Sequence, residues 1–447
     1  MSYIEKLKKK RGFKIMKRII FFILLFSFLC LIIPLTVPAE EAKGSEILQI
    51  DALIEEALEK NPEIKAFEKR WNAFKEIPPQ AGSLDDPKLT LGISALPVDT
   101  FRFGDWDMTQ KTISLSQKFP YPGKLKLRSE IAEHQAEATG LEYEDKKIQI
   151  MSAVKEAYYE IFFIDRSIEI TEKNKKLLEQ LVEIAQVKYS VGNGLQQDVL
   201  LAQVELSKII EDLITLKQKR KAAESRLNTL LYRDPRAPLG KTIDVKKTEF
   251  NHTLEELMSR AVEKRPQLAS LKALIESAEA SYKLAKKEYY PDFNIGLSYG
   301  QREGGRNKKG IAIDRPDFVS GFVTINIPLY FRTKQDKKVA QTIAQKSFAE
   351  ERFESLKNEI YYQLKSLVAD EQKGEKLIKL YEDGILPQAK QSLDSSISGY
   401  QVDKVDFLTM LQNWITLFKY ENEYYKVLSD YEKTLAKIER VVGERLF

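Results

Sequence analysis

The chain has few side chains that could perform catalysis or bind a metal ion. Its 447 residues include two histidines, His134 and His252, and one cysteine, Cys30. Nucleophilic catalysis needs a serine or cysteine beside a base, and zinc sites need several histidine, cysteine or carboxylate ligands. Neither histidine belongs to such a motif, and no glycine-rich phosphate loop occurs. The sequence therefore predicts no enzyme, no cofactor and no metal site. Both histidines are interpreted as surface residues, His134 on a coiled-coil helix and His252 near a helix start.

The positive charge of the chain is concentrated at its N-terminus. Residues 1–18 hold eight of the 71 Lys and Arg and one of the 66 Asp and Glu, and residues 19–39 hold none. Residues 40–447 therefore carry the remaining 63 basic and 65 acidic residues. Since a nearly balanced surface gives no electrostatic reason to bind a polyanion, we expect no nucleic-acid partner.

Residues 1–39 have the pattern of an export signal. The basic segment Met16-Lys17-Arg18 precedes the apolar residues 19–33, and Val37-Pro38-Ala39 suits cleavage. Met16 is an alternative start, which would make residues 1–15 an upstream extension. A retained membrane anchor is the competing interpretation. No later stretch has the run of about 20 apolar residues that a membrane helix needs. The exported chain is thus expected in the periplasm, outside the cell or in the outer membrane.

A segment that recurs in diverged form predicts two helical hairpins. Residues 189–206 (YSVGNGLQQDVLLAQVEL) align without a gap with residues 400–417 (YQVDKVDFLTMLQNWITL). The glycines of the first copy give the backbone the freedom to end one helix and reverse into the next. The flanking residues 124–188 and 196–232 lack proline and keep heptad spacing, which is typical of coiled coils. At 1.5 Å per residue the longer helix would reach roughly 100 Å, enough to cross a wide aqueous space.

Two pairs of alternating segments predict β-hairpins. One begins with KLTLGISAL after Pro87 and the other with DFNIGLSY after Pro291. Each is followed by a second strand, at 112–119 and at 322–328. Their length suits membrane strands of about 9–11 residues, although half-buried strands of a soluble sheet fit the alternation equally well. In the membrane interpretation the side chains that face lipid are Leu89, Leu91, Phe293, Ile295, Val323 and Ile325.

These patterns together predict an internal duplication. The short amphipathic helices of residues 46–76, interrupted at Asn61-Pro62, recur at 256–290. We therefore expect a first structural repeat at 40–232, a linker at 233–250 and a second repeat at 251–447. The dipeptide Leu386-Pro387 is expected to break the long outbound helix of the second repeat.

This combination resembles the TolC-like family of outer-membrane efflux proteins over about residues 46–445. The resemblance is carried by FPYPGKLKLR at 119–128, YYPDFNIGL at 289–297, INIPLY at 325–330 and YSVGNGLQQDVLLAQ at 189–203. The segments ILPQAKQSL and YQVDKVDFLTML look most similar to the branch that serves heavy-metal and multidrug resistance pumps.

The resemblance implies a mixed α and β membrane protein that assembles as a homotrimer. Each subunit would give four transmembrane strands to one 12-stranded barrel in outer-membrane lipid, and two coiled-coil hairpins to a periplasmic α-helical tunnel. Four strands alone cannot close into a barrel, and open edges are not tolerated in lipid. The implied function is passive conduction of drugs or metal ions delivered by an inner-membrane efflux transporter and a periplasmic adaptor protein. The alternative is a periplasmic coiled-coil adaptor or structural protein without a pore, which would normally have one long hairpin within soluble β domains.

The two tips are the predicted adaptor-docking site, and side chains beside them are candidates for a periplasmic gate. Asp403 aligns with Gly192, and Thr409 and Gln412 stand where some family members have acidic residues, so no ring of aspartates is expected. Asp198 has two interpretations: it stabilises the positive end of its helix, or it bonds Tyr400 or Lys404 in a closed state. The docking residues are Val191, Gly192, Asn193, Gly194, Leu195, Val402, Asp403, Lys404 and Val405. The gate candidates are Asp198, Tyr400, Thr409 and Gln412.

Overall fold

The computed structural model of the protein describes residues 47–306 and 310–447. The predicted export signal lies outside the described residues, so its cleavage stays a prediction. Within the two described ranges, no helix is both long enough and apolar enough to cross a membrane.

Three short helices begin the described chain: α1 Ile50–Lys60, α2 Pro62–Lys75 and α3 Ile77–Gly82. Asn61 separates the first two, as predicted from sequence. Its Oδ1 accepts a hydrogen bond from the backbone N–H of Glu63 at 2.9 Å, and its Nδ2 donates to the Leu230 carbonyl at 2.8 Å. Pro62 then occupies the first turn of α2, where its missing N–H leaves no hydrogen bond unmade.

Long helices follow in each half of the chain. The first half has α4 Lys124–Ser190, of 67 residues, and α5 Gln196–Leu230. The second half has α6 Leu254–Lys264, α7 Pro266–Lys287, α8 Gln335–Leu380, α9 Leu386–Gln401 and α10 Phe407–Val442.

The predicted break at Leu386-Pro387 is wrong, because a π-helical turn at Tyr381–Ile385 joins α8 to α9. The Leu386 N–H donates to the Tyr381 carbonyl, so the hydrogen-bond ladder widens by one residue there. Pro387 lies just after this turn, and the widened hydrogen-bond ladder accommodates a residue without an N–H there. The chain therefore continues as a helix to the second tip.

Four strands form one antiparallel sheet in the order β1-β2-β3-β6. They are β1 Lys88–Ser94, β2 Gln110–Phe119, β3 Phe293–Gln301 and β6 Phe318–Ile325. The pair β4 Gly305–Arg306 and β5 Ala312–Ile313 forms a separate short hairpin. The strand β6 begins four residues before its predicted start. Gly321 lies opposite Leu297 on the apolar face and interrupts the alternation that sequence reasoning relies on.

The sheet has one apolar face that is exposed in the single subunit. The register places Leu91 beside Ile113, Ile113 beside Tyr299, and Tyr299 beside Val319. Leu91 is 70% exposed and Val319 is 77% exposed. The other exposed apolar residues of this face are Leu89, Ile93, Leu115, Phe119, Ile295, Leu297, Val323 and Ile325. The opposite face carries mostly small and polar side chains, together with Phe318 and Phe322 of β6, and there Ser114 Oγ donates to Ser298 Oγ at 2.8 Å.

The helices of the described ranges bury three apolar clusters. One contains Leu53, Val154 and Leu227 of the first half, and a second contains Leu257, Ile360 and Ile438 of the second half. The third joins the two hairpins near their tips through Leu178, Leu181, Val199, Leu393, Phe407, Met410 and Trp414. This last cluster fixes the two tips side by side.

The connection at 233–250 lies against helices of both halves. Thr242 donates to Asp165 Oδ2 of α4 from its backbone N–H and its hydroxyl, both at 3.3 Å. Thr248 donates its backbone N–H to Glu432 Oε1 of α10 at 2.8 Å. These contacts hold the connection along the helices rather than as a free tether.

Candidate functional site

Both hairpin tips end their first helix with the same hydrogen-bonded motif. At the first tip the N–H of Gly192 donates to the Tyr189 carbonyl at 3.1 Å, and the N–H of Asn193 donates to the Lys188 carbonyl at 2.8 Å. Gly192 has φ of +79°, in the left-handed region. These two bonds around a left-handed residue are the Schellman motif, which satisfies the last carbonyls of a helix.

The second tip repeats these bonds at the aligned positions. The N–H of Asp403 donates to the Tyr400 carbonyl at 3.4 Å, and the N–H of Lys404 donates to the Gly399 carbonyl at 2.9 Å. Asp403 has φ of +59° and so adopts the conformation that glycine adopts in the first tip. Aspartate enters this region more readily than most residues with a side chain. The substitution therefore preserves the turn.

Each tip has one glycine where the end of the first helix packs closely against the turn. In the first tip this glycine is in the turn, and in the second tip it is in the helix. In the first tip a Cβ at Gly194 would lie 3.1 Å from the Cβ of Lys188. In the second tip a Cβ at Gly399 would lie 2.5 Å from Cγ2 of Val405. Gly399 aligns with Lys188 and Val405 aligns with Gly194, so the small and large partners are exchanged. The exchange leaves Val405 half-buried at the second tip.

The returning helices begin differently. Asp406 caps α10, because its Oδ1 accepts from the backbone N–H of Thr409 at 2.8 Å and its Oδ2 accepts from the Thr409 hydroxyl at 2.8 Å. These hydrogen bonds, that from the Thr409 N–H first, hold the pKa of Asp406 below its usual value. Leu195 precedes α5 without a side-chain cap, and Asp198 lies in the first turn of that helix. A carboxylate there is favourable at the positive end of the helix dipole.

A lysine of the first hairpin holds the second tip. Lys188 Nζ donates to the Tyr400 carbonyl at 2.8 Å and to Asp403 Oδ1 at 2.5 Å. The same ammonium lies 4.2 Å from the centroid of the Tyr400 ring, at a cation–π distance. One side chain of α4 thus bonds the backbone, a ring and a carboxylate of the neighbouring hairpin.

Tyr400 is buried between the two hairpins. Its ring packs edge-on against Phe407 with centroids 5.6 Å apart. Burial, followed by the negative charges of Asp198 and Asp403, raises the pKa of the Tyr400 hydroxyl. Asp198 therefore acts on Tyr400 through its charge, while its carboxylate has no hydrogen bond or ion pair within the described part of the chain.

The structure places the other predicted residues at the rim of the tips. Val191, Leu195 and Val402 are exposed by 64%, 65% and 62%. The side chains of Asn193, Lys404, Thr409 and Gln412 are exposed as well. The tips therefore present a small apolar surface with a polar border.

Sequence reasoning missed three residues at this site: Lys188, Gly399 and Asp406. The capping pattern of Asp406 followed three positions later by Thr409 is a readable signal of a helix start. The exchange of glycine between the tips is visible once the two copies are aligned. The contact of Lys188 with Asp403 spans 215 positions and leaves no local signal.

The family follows from comparing this architecture with known proteins. The sequence model of the family described as outer membrane efflux protein matches residues 53–231 and 257–444, one segment in each half of the chain. The chain belongs to the outer membrane efflux protein family. Members of this TolC-like family are outer-membrane channels that extend into the periplasm, and this efflux-family protein is accordingly an outer-membrane protein.

Relatives by sequence have roles in export and resistance. The chain is 19% identical over 409 residues to the cobalt-zinc-cadmium resistance protein CzcC of Cupriavidus metallidurans, covering 91% of this chain and 93% of that protein. It is 25% identical over 178 residues to the toxin and drug export protein A of Aggregatibacter actinomycetemcomitans, covering 38% and 37%. Against that protein, as against an uncharacterized protein of Haemophilus influenzae, the chain spans less than half of the relative's length.

The fold also matches that of a solved outer membrane protein. The outer membrane protein VceC of Vibrio cholerae superposes with a TM-score of 0.73 at 17% identity, covering 89% of this chain and 96% of that one. This likeness extends over nearly nine-tenths of the chain. The predicted resemblance to the efflux family is confirmed by the family model that matches both halves of the chain.

Proposed function

We propose that this efflux-family protein is the outer-membrane exit duct of a tripartite efflux system. Three copies would close one barrel and one tunnel, and solutes would pass through passively after delivery by an inner-membrane transporter and a periplasmic adaptor. The single observation that carries this proposal is the four-stranded sheet, which has an exposed apolar face and, within the described residues, two unpaired edge strands.

The apolar face fits lipid. Side chains such as Leu89 and Ile295 point outward in register, and no helix among the described residues covers them. The two edges belong to β1 and β6. Unpaired backbone groups at a sheet edge are not tolerated in lipid, so each edge strand must pair with a strand of another copy. Three copies would pair every edge and give twelve strands.

The tips fit a docking role in this assembly. They lie at the ends of helical hairpins, and Val191, Leu195 and Val402 are exposed there. Six tips in a trimer would form a ring that adaptor hairpins can meet end to end. Since each contact would be small, the affinity would come from repetition around the ring. Asp198, Thr409 and Gln412 would line the narrowing beside that ring, and Tyr400, buried between the two hairpins, would hold their spacing behind it.

Divalent metal ions are the solutes that we favour. The alignment with the cobalt-zinc-cadmium resistance protein covers more than nine-tenths of both chains, whereas the alignment with the toxin and drug export protein covers less than two-fifths of either. The conduit itself needs no solute-specific side chains, because the transporter selects the cargo.

The test is complementation of resistance. Deleting the reading frame from its host should lower the tolerated concentrations of cobalt, zinc and cadmium salts, and the intact reading frame should restore them. Outer-membrane fractions should then contain the protein in an oligomer, together with an adaptor captured by cross-linking. Unchanged tolerance to these salts and to a panel of drugs would contradict the efflux role.

A further inference from the structure

A histidine and two glutamates converge on the helical body, away from the tips. His134 Nδ1 of α4 lies 3.2 Å from Glu276 Oε2 of α7 and 3.6 Å from Glu137 Oε2, one turn further along α4. Three ligand atoms, one from each side chain, lie within 4.8 Å of one another. The tip lies beyond Ser190 at the other end of α4, so this cluster belongs to a different part of the subunit.

Within residues 47–306 and 310–447, the three groups have no other polar partners. His134 Nδ1 is buried and makes no hydrogen bond with any of these residues, although the side chain as a whole is 29% exposed. Among the described residues, no lysine or arginine nitrogen lies within 4.0 Å of the Glu137 or Glu276 carboxylate. By contrast, nearby Glu279 pairs with Lys346 at 2.9 Å and with Lys283 at 3.8 Å. Two carboxylates thus point at one ring nitrogen without a fixed cation between them.

The distances suit a tetrahedral metal ion. Zinc bonds to histidine nitrogen and carboxylate oxygen are about 2.0–2.2 Å, which puts tetrahedral ligand atoms about 3.4 Å apart. We propose that His134, Glu137 and Glu276 bind a divalent first-row transition-metal ion such as Zn²⁺, with water as the remaining ligand. An imidazole beside carboxylates favours such ions over Ca²⁺ and Mg²⁺, which prefer oxygen ligands alone.

The bound ion would connect the two halves of the chain, because α4 belongs to the first and α7 to the second. The bound ion would be a permanent part of the protein and would be distinct from the solute that the channel carries. Sequence reasoning assigned His134 to a helix surface because Glu276 lies far away in the sequence and gives no motif.

The second histidine provides a matched control. His252 Nδ1 also lies 3.2 Å from a glutamate oxygen, that of Glu256. The same oxygen, however, accepts from Arg260 Nη2 at 2.8 Å. His252 therefore has one carboxylate instead of two, and a guanidinium already neutralises it. It should not bind the metal.

The experiment uses the full chain, purified in detergent without a polyhistidine tag. Cu²⁺ is added as a spectroscopic probe, and electron paramagnetic resonance records coupling to imidazole nitrogen. Zinc affinity is measured by competition with a chromogenic chelator. We expect one saturable site per subunit with coupling to a single imidazole. His134→Gln should abolish that coupling and lower zinc affinity by more than about tenfold, whereas His252→Gln should change neither.

Glu276→Gln keeps the test decisive if His134→Gln assembles poorly. The Glu276 side chain is 62% exposed, so its replacement should leave the fold intact while weakening zinc binding by about tenfold. Equal zinc affinity in Glu276→Gln and the unaltered protein, or loss of the coupling in His252→Gln, would overturn the proposal. Absence of saturable binding would overturn it too.

Discussion

Lys188 Nζ of the first hairpin lies 2.5 Å from Asp403 Oδ1 of the second. Asp403 occupies the left-handed position that Gly192 occupies in the first tip, so the residue that replaces a glycine also accepts the bond between the hairpins. One substitution in the second copy therefore supports the turn and links the two tips of a subunit.

Replacing Lys188 by methionine should loosen that link. Lys188→Met removes the hydrogen bonds to Asp403 and to the Tyr400 carbonyl while keeping the aliphatic stem. Lys188 is half-buried and Asp403 is exposed, so loss of their ion pair should cost about 1 kcal/mol, and the open probability in planar bilayers should rise by about fivefold. Lys176→Met is the control, because Lys176 is exposed on the same helix and has no ion pair in the described ranges. Identical single-channel records for the two variants would argue against a linking role.

The turn at Gly192 should tolerate aspartate but not proline. Its φ of +79° is inaccessible to proline, whose ring holds φ near −65°. Aspartate already adopts the equivalent conformation at Asp403, and a Cβ at Gly192 would meet no atom within 4 Å. Gly192→Pro should abolish solute resistance while trimer yield in the outer membrane stays normal, and Gly192→Asp should preserve both. Full resistance in Gly192→Pro would refute docking through the tip, whereas loss of the trimer would show that the turn serves folding.

The contact between the start of β3 and the start of α4 should weaken in acid. Asp292 precedes β3, and its Oδ1 accepts from Lys124 Nζ at 2.7 Å and from the Tyr121 N–H at 2.9 Å. Burial alone would raise the pKa of Asp292, but these hydrogen bonds and the lysine charge hold it below its usual value.

A folded-state pKa below the unfolded value of about 3.9 stabilises the protein above that pH. The contribution is lost as the pH falls through the folded pKa. Asp292→Asn should therefore lower the unfolding temperature at pH 7, and the difference from the unaltered protein should shrink toward pH 3. Thermal unfolding in detergent across this range is the measurement. A difference that stays constant with pH would show that the ionised carboxylate is not the stabilising group.

Two adjacent positions on β1 should differ in how well they tolerate an introduced arginine. Leu91 lies on the exposed apolar face and Thr90 on the other. An arginine at mid-bilayer on the lipid side costs about 2–4 kcal/mol. Leu91→Arg should reduce the trimer recovered from outer membranes, and Thr90→Arg should leave it near normal. Equal yields would mean that this face does not contact lipid.

Local sequence patterns predicted the helices, strands and tips. The contacts that they missed depend on packing between residues far apart in the sequence. Asn61-Pro62 ends one helix and starts the next because capping and the missing N–H act within one turn. The same rules failed at Pro387, where a π-helical turn keeps the helix continuous. The repeated segment predicted both tips, because glycine is the residue that most readily adopts the left-handed backbone at Gly192. It could not predict the contacts of Lys188, because these depend on how the two hairpins pack together.

Pairing of edge strands among three copies can be tested by cross-linking. Thr90 of β1 and Ser320 of β6 belong to one row of the register and lie on the two open edges of the sheet. Closing a barrel staggers this register between neighbouring copies. A cysteine at each β1 position on the face of Thr90 would therefore be combined in turn with one at each β6 position on the same face, always with Cys30→Ser, and intact cells would be treated with a short bis-maleimide. Covalent trimers are expected as the largest product of at least one pairing, and each single-cysteine variant should stay largely monomeric. Monomers alone from every pairing, or an open ladder extending beyond trimers, would show that the edges do not pair in a closed trimer.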